Sequence, residues 1–170
     1  MNPSLCAIAL GSNLGDSLAI VQAAIERLDT FPEVEIVKVS RWYRTKAITL
    51  DPESSQPDYI NGCAILATTL MPQALLTLLL DMEIQFGRER RERWGARTLD
   101  LDLLLYADYV LDTPHLTIPH PRMVDRAFVL LPLTEIAADW IHPLTGCKIG
   151  KLAIDPPDLE LCLPQPIQIL

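Results

Sequence analysis

The stretch Arg88–Tyr106 reads RERRERWGARTLDLDLLLY. Its two halves have opposite character. The first packs five arginines, Arg88, Arg90, Arg91, Arg93 and Arg97, into ten residues. The second is an apolar run that carries Asp100 and Asp102 at a spacing of two. In a strand, residues i and i+2 share a face, so both carboxylates look one way, about 7 Å apart along the backbone, while Leu99, Leu101 and Leu103 look the other. Aspartate is disfavoured in strands, and two on one face repel each other unless a cation lies between them. Guanidinium groups crowded next to them call for anions, phosphate above all. A divalent metal together with a polyphosphate satisfies both halves, so the stretch predicts a Mg²⁺-nucleotide site on the fourth strand of a sheet.

The rest of the chain is consistent with that confined site. At 170 residues, 49% hydrophobic and 21% charged, it has the size and composition of one soluble globular domain. The net charge of −8 argues against a nucleic-acid binder, which is normally basic. Five of the 14 Lys and Arg nevertheless fall between Arg88 and Arg97, a basic island in an acidic protein. No apolar run is long enough to span a membrane, and the N-terminus MNPSLCAIALGSN has no basic leader, so the expected location is the cytoplasm. Cys6, Cys63, Cys147 and Cys162 are scattered without a CxxC pair, which argues against a zinc site or a disulfide framework.

Upstream of the arginines, Met71-Pro72 opens a helix that buries Leu75, Leu78, Leu79, Met82 and Phe86 and stops at Gly87. Glu83 falls in its last two turns, where the helix dipole disfavours an acid. It reads either as a solvated surface carboxylate or as an answer to the arginines that follow. Tyr59–Leu70 is a strand rich in β-branched residues, preceded by the loop-like ITLDPESSQPD over 48–58. A further strand runs roughly from Val34 to Tyr43. At the N-terminus, LCAIAL over Leu5–Leu10 is a buried strand leading into GSNLGD. Asp16 there can cap a helix whose stripe is Leu18, Val21, Ile25 and Leu28. That turn reads as a tight turn plus cap, or as a phosphate cradle at a helix N-terminus; it lacks the Gly-Lys-Ser/Thr of a P-loop.

Downstream, short extended pieces flank Asp112-Thr-Pro114, and His120 is held between Pro119 and Pro121, close to Arg122 and Arg126. Val129–Trp140 reads as a short helix. From Asp155 the tail DPPDLELCLPQPIQIL is Pro-rich, so the chain divides into a domain over 1–154 and a tail over 155–170 that is extended or disordered. The order strand-helix-strand-strand-helix-strand predicts an α+β, ferredoxin-like α-β sandwich: an antiparallel sheet with helices packed on one face, and extra short elements after the fourth strand.

Four strings taken together, GSNLGD, QPDYING, GRERRERWGARTLDLDLLLY and IPHPRMVDRAFVLLPLTEIA, resemble the 6-hydroxymethyl-7,8-dihydropterin pyrophosphokinases of folate biosynthesis over about residues 5–140. The resemblance implies an enzyme that transfers the β,γ-diphosphate of ATP to a pterin hydroxymethyl group and releases AMP. It implies two Mg²⁺ ions on Asp100 and Asp102, with Arg88 and Arg97 completing the catalytic set. It further implies ATP contacts from Arg88, Arg90, Arg97, His120 and Arg126 under a loop tryptophan, Trp94, and a pterin pocket of Thr45, Tyr59, Asn61 and Phe128. Glu83 matches an acid that orients the arginine loop. The expected partners are ATP and the reduced pterin, with no nucleic acid and no membrane, and a monomer is expected. The chain departs from the family pattern at Thr45-Lys46, where many members have Thr-Pro, at Leu80, where some have glutamine, and in a basic loop one residue shorter. The residues alone also admit an Asp-X-Asp nucleotidyl- or glycosyltransferase, which releases another product. They admit, too, a non-catalytic ferredoxin-like module that binds nucleotide through the arginines.

Overall fold

The computed structural model describes residues 2–47, 56–88, 96–152 and 165–166. The elements in order are β1 (Ser4–Ser12), α1 (Ser17–Leu28), β2 (Val34–Val39), β3 (Tyr43–Thr45), β4 (Tyr59–Thr68), α2 (Pro72–Gln85) and β5 (Asp100–Tyr106). The short hairpin β6 (Leu111–Asp112) and β7 (Thr117–Ile118), a 3-10 turn at Met123–Asp125, α3 (Ala127–Ala137), α4 (Ile149–Leu152) and β8 (Gln165–Pro166) follow. In the main sheet β5 pairs β1, β1 pairs β4, and β4 pairs both β2 and β3, all antiparallel. This is the ferredoxin-like arrangement expected from the alternation of elements. In the tail, β8 pairs antiparallel with the outer edge of β3.

The helices form for the reasons the sequence offers. The Asp16 side chain accepts from the Ala19 N–H at 3.1 Å and caps α1. Pro72 opens α2, and Gly87, at φ +81°, lies just past its end. The expected second strand is broken in two. Ser40 donates its N–H to the Cys63 carbonyl and accepts the Cys63 N–H on its hydroxyl, both at 2.9 Å, so pairing to β4 continues through the break. Arg41 then turns outward to Glu135 of α3 at 2.7 Å, and Trp42 turns inward over Gly62. An inward indole next to an outward guanidinium, with a bulge between Ile36 and Lys38, is not one regular strand.

The central strand sorts its side chains by size. Cys6, Ile8 and Leu10 face α1 and α2, where they pack with Val21, Leu28, Leu75, Leu79, Leu101 and Leu103 in the larger core. Ala7, Ala9 and Gly11 face the other side. There Ala7 and Ala9 pack with Cys63, Ile65, Leu104, Leu105 and the α3 residues Val129, Leu133 and Ala137. Each fully buried Leu or Ile contributes about 1.5–3 kcal/mol of transfer free energy. The second face is therefore not bare, as a helices-on-one-face sandwich implies. The helix that starts at Ala127 covers part of it, and Asn61, Asp100 and Asp102 lie on what α3 leaves open. Leu104 is an extra residue in β5 relative to β1, where the register shifts between Ala7 and Ile8. That bulge puts both Leu104 and Leu105 into the second core, and the Leu104 carbonyl accepts the His120 N–H at 2.9 Å.

Candidate functional site

Two rows of paired residues cross the open part of the second face. In one, Gly11 lies between Asn61 of β4 and Asp100 of β5; in the next, Ala9 lies between Cys63 and Asp102. The central strand thus contributes a low floor, and the strands on either side contribute the functional groups. The pleat brings the two aspartates to one face, as their spacing predicts, while Leu99, Leu101 and Leu103 are buried in the opposite core.

Each carboxylate has its own set of cations. Asp100 takes Arg97 at 2.7 Å and Arg88 at 2.8 Å on the same oxygen. Asp102 faces Arg126 at 3.6 Å and His120 at 4.0 Å. The Arg122 N–H donates to His120 Nδ1 at 3.1 Å, so the neutral ring carries its proton on Nε2, toward Asp102. Burial, and then the neighbouring Asp100 charge, push the Asp102 carboxyl above the usual carboxylate range, against the opposing pull of His120, Arg126 and Arg97. Burial likewise lowers His120, although Asp102 opposes it.

Glu83 resolves the choice left by the sequence: it is buried, only 2% exposed. It accepts the Leu101 N–H at 2.8 Å and pairs with Arg88, whose own N–H donates to the Glu83 carbonyl at 2.9 Å. Burial raises its carboxyl, opposed by the Leu101 N–H and by Arg88. The acid disfavoured by the helix dipole thus joins α2, β5 and the start of the basic stretch.

Two cavities meet at the aspartates. One, about 390 Å³, is lined by Thr45, Tyr59, Asn61, Arg126 and Phe128. The other, about 380 Å³, is lined by Glu83 and Arg88 with Leu76, Leu80, His115 and Thr117. Arg97, Asp100, Asp102, His120 and Pro121 line both. In the first, Asn61 donates to the Thr45 hydroxyl at 2.7 Å, which fixes its amide, and Arg126 stacks on Phe128 at 5.6 Å. The first chamber is thus a slot with aromatic groups and an amide; the second combines cations with an apolar end. No residue of 12–16 lines either cavity, and the Asp16 side chain is taken up in capping α1.

The structure gathers Thr45, Tyr59, Asn61, Glu83, Arg88, Arg97, Asp100, Asp102, His120, Arg126 and Phe128 around one cleft. The expected contacts of Arg90 and Trp94, and the segment 48–55, lie outside the described residues. Sequence reasoning passed over Leu76, His115 and Thr117, which line the second cavity, and gave no site role to Lys46 and Gln56, which line the first; Arg122, noted beside His120, lines the first as well. Leu76, His115 and Thr117 have no spacing signal and come to the cleft through tertiary contact, whereas Lys46 and Arg122 are carried there by their neighbours Thr45 and His120. It also passed over Asn13, which reaches the same region from the β1–α1 turn: its side chain accepts the Arg97 N–H at 2.8 Å.

Fold and cleft together define an α+β domain of ferredoxin-like topology whose cleft alternates carboxylates with cations. The sequence matches the family described as 7,8-dihydro-6-hydroxymethylpterin-pyrophosphokinase over residues 7–138, and the chain belongs to that family. It is 48% identical over 145 residues to a 2-amino-4-hydroxy-6-hydroxymethyldihydropteridine pyrophosphokinase of Synechocystis sp., a match spanning 85% of this chain and 72% of that one. It is 46% identical to the enzyme of the same name from Pseudomonas aeruginosa, over 80% of this chain and 82% of the relative. In three dimensions it is similar to Plasmodium falciparum HPPK-DHPS crystallised with pteroate, with a TM-score of 0.71 at 12% identity, over 90% of this chain. It spans 42% of that longer chain, and the likeness concerns the fold. The described residues contain no helix long and apolar enough to cross a membrane.

Proposed function

We propose that this chain transfers the β,γ-diphosphate of ATP to the hydroxymethyl group of 6-hydroxymethyl-7,8-dihydropterin, giving the pterin diphosphate and AMP, a step of folate biosynthesis. The observation that carries the reading is the meeting of two chambers of different chemistry at one pair of carboxylates. A transfer between two substrates needs both held with their reacting atoms together, and that positioning can account for much of the rate.

The first chamber suits the pterin. Tyr59 and Phe128 offer aromatic faces to a flat ring. Asn61, its amide fixed by Thr45, offers the donor and acceptor that a heteroaromatic edge requires. The second chamber suits the nucleotide: Leu76 and Leu80 give an apolar end, Arg88, Arg97 and His120 line it where the phosphates lie, and Arg126 reaches them from the first chamber beside Asp102. Arg90 and Trp94 complete the ATP set in this reading.

Asp100 and Asp102 fit Mg²⁺. Among the described residues no three His, Cys, Asp or Glu converge as a closed cage. Mg²⁺ is typically held by one or two carboxylates with phosphate and water oxygens supplying the rest. Two such ions fit a pair of carboxylates facing a polyphosphate. When bound, Mg²⁺ neutralises the triphosphate oxygens and makes the phosphorus under attack more electrophilic. The protein side chains do the remainder. Arg97 and Arg88 hold Asp100 in place, His120 and Arg126 do the same for Asp102, and Glu83 orients Arg88. The pterin hydroxyl oxygen bonds to the β-phosphorus, the bond from that phosphorus to the α-β bridging oxygen breaks, and AMP leaves as the hydroxyl proton is lost.

The reading takes ATP and the reduced pterin as partners, with neither nucleic acid nor membrane, and a cytoplasmic monomer. It treats residues 1–154 as the catalytic domain and 155–170 as an appended tail. The test is the product. The purified chain with MgATP and 6-hydroxymethyl-7,8-dihydropterin yields AMP and pterin diphosphate, both dependent on Mg²⁺. Formation of ADP, or of a nucleotidylated or glycosylated product, overturns the assignment.

A further inference from the structure

Asn13 belongs to none of the cation–carboxylate pairs, yet it is buried, 1% exposed, and its polar groups are directed at two segments that border the cleft. Its Oδ1 accepts the Arg97 N–H at 2.8 Å, and its own backbone N–H donates to the Arg97 carbonyl at 3.0 Å. Its Nδ2 donates to the Pro57 carbonyl at 3.2 Å and to Gln56 Oε1 at 3.3 Å. One side-chain amide therefore serves the residue whose guanidinium holds Asp100 and the two residues that lead toward Tyr59. An amide is suited to this because it offers an acceptor and two donors on one planar group. Aspartate keeps the acceptor and loses the donors, alanine loses both, and glutamine is one methylene too long.

We propose that Asn13 is a positioning residue for the transfer: it fixes the Arg97 backbone at the carboxylate end of the site and the Gln56–Pro57 backbone at the rim of the ring pocket. This rests on the pyrophosphokinase reading given above. The Arg97 guanidinium meets Asp100 at 2.7 Å, so displacement of the Arg97 backbone moves the group that sets one carboxylate. Displacement of Pro57 moves the strand start that carries Tyr59 and, two residues on, Asn61. Asn13 itself lines neither cavity, so its effect passes through these neighbours. Its two arms act on different kinetic constants: the Arg97 arm on turnover, the Pro57 arm on binding of the ring substrate.

Two variants separate the arms. In Asn13→Ala, kcat falls about 10- to 100-fold, the scale expected for an ångström-sized misplacement of a reacting constellation, and the Arg97 amide exchanges with solvent at least about tenfold faster. In Asn13→Asp, the Arg97 amide stays protected and kcat remains close to that of the parent, while KM for the pterin rises by roughly three- to tenfold, the scale of one or two lost hydrogen bonds. A folded Asn13→Ala enzyme with kcat and KM within twofold of the parent overturns the proposal. If Asn13→Ala does not fold, Asn13→Asp decides: an unchanged pterin KM overturns it, and a raised KM with a protected Arg97 amide supports it. If the parent enzyme forms no AMP, the reaction assigned above fails, and Arg97 amide exchange still tests the clasp. Faster exchange in Asn13→Ala alone supports the clasp, and equal exchange in both proteins overturns it.

Discussion

The two faces of the main sheet are built from the same strands and do different work. On the face toward α1 and α2, β1 contributes Cys6, Ile8 and Leu10, β4 contributes Ile60, Ala64 and Leu66, and β5 contributes Leu101 and Leu103, all buried in one apolar core. On the other face β1 contributes Ala7, Ala9 and Gly11, and the adjoining strands contribute Asn61, Asp100 and Asp102 where α3 does not reach. A strand period of two lets one strand belong to a core and to a site at once. The consequence is a rigid platform. The carboxylates are fixed because the leucines between them are packed, and the Leu101 N–H is held in addition by the buried Glu83. Substitutions on the two faces are therefore expected to fail differently.

The largest expected effect is on the open face. Asp102→Ala is predicted to lower kcat/KM by about 10³-fold or more, the order of a lost electrostatic or metal-holding group in a preorganised site. The melting temperature should change little, because Asp102 is part-exposed and is disfavoured by burial and by the charge of Asp100. Initial rates and a thermal melt on the same preparation check both halves of this statement. An Asp102→Ala enzyme with near-parental turnover would sink the metal assignment. Lost turnover with collapse of the fold would instead show that the open face also holds the sheet together.

The opposite pattern is expected one residue earlier. Leu101 is 2% exposed and lies in the larger core, where it also forms part of the wall of the second cavity. Leu101→Ala removes buried methyl groups and leaves a cavity, at a cost of about 2–5 kcal/mol. For a chain of this size that is a fall in melting temperature of roughly 5–15 °C. Below the transition, kcat for the folded fraction should stay within a few-fold of the parent. A fall in kcat as deep as that of Asp102→Ala, at full folding, would mean that packing on the covered face sets the carboxylate positions more tightly than the pleat alone requires.

This division was only half legible in the sequence. The Asp-X-Asp alternation in β5 is a local signal, and it gave the strand, its two faces and the acidic pair together. The LCAIALG run of β1 is different. It reads as continuously apolar, and the alternation that matters is of size, with Ile8 and Leu10 on one face and Ala7, Ala9 and Gly11 on the other. Hydrophobicity does not distinguish those sets; only the pairing of Gly11 with Asn61 and Asp100 explains the small side. The aromatic and amide residues of the ring pocket came from a resemblance, since Tyr59, Asn61 and Phe128 have no spacing that joins them. Glu83 stayed ambiguous because its burial depends on Leu101 of β5, 18 residues further on, whose N–H it accepts. The break between β2 and β3 was hidden for a similar reason: Trp42 turns inward onto Gly62, and Arg41 turns outward to Glu135, 94 residues away.

The smallest difference between the two faces lies in two glycines, each of which makes room for a different neighbour. A Cβ at Gly62, on the covered face, would lie 2.5 Å from a ring carbon of Trp42, which is itself buried and cannot swing away cheaply. Gly62→Ala should cost about 1–3 kcal/mol through overpacking, read as a lower melting temperature with substrate KM values unchanged. A Cβ at Gly11, on the open face, would lie 2.8 Å from Asn61 Oδ1, the end of a side chain that can rotate. Rotation relieves the clash but moves the amide away from the Thr45 hydroxyl and out of its place in the pocket. Gly11→Ala should therefore melt closer to the parent than Gly62→Ala does, while its pterin KM rises by roughly three- to tenfold, the equivalent of about one hydrogen bond. Calorimetry and pterin-dependent initial rates on the pair check this. Equal melting temperatures with equal KM values would remove the distinction between a face that stores stability and a face that reads substrate.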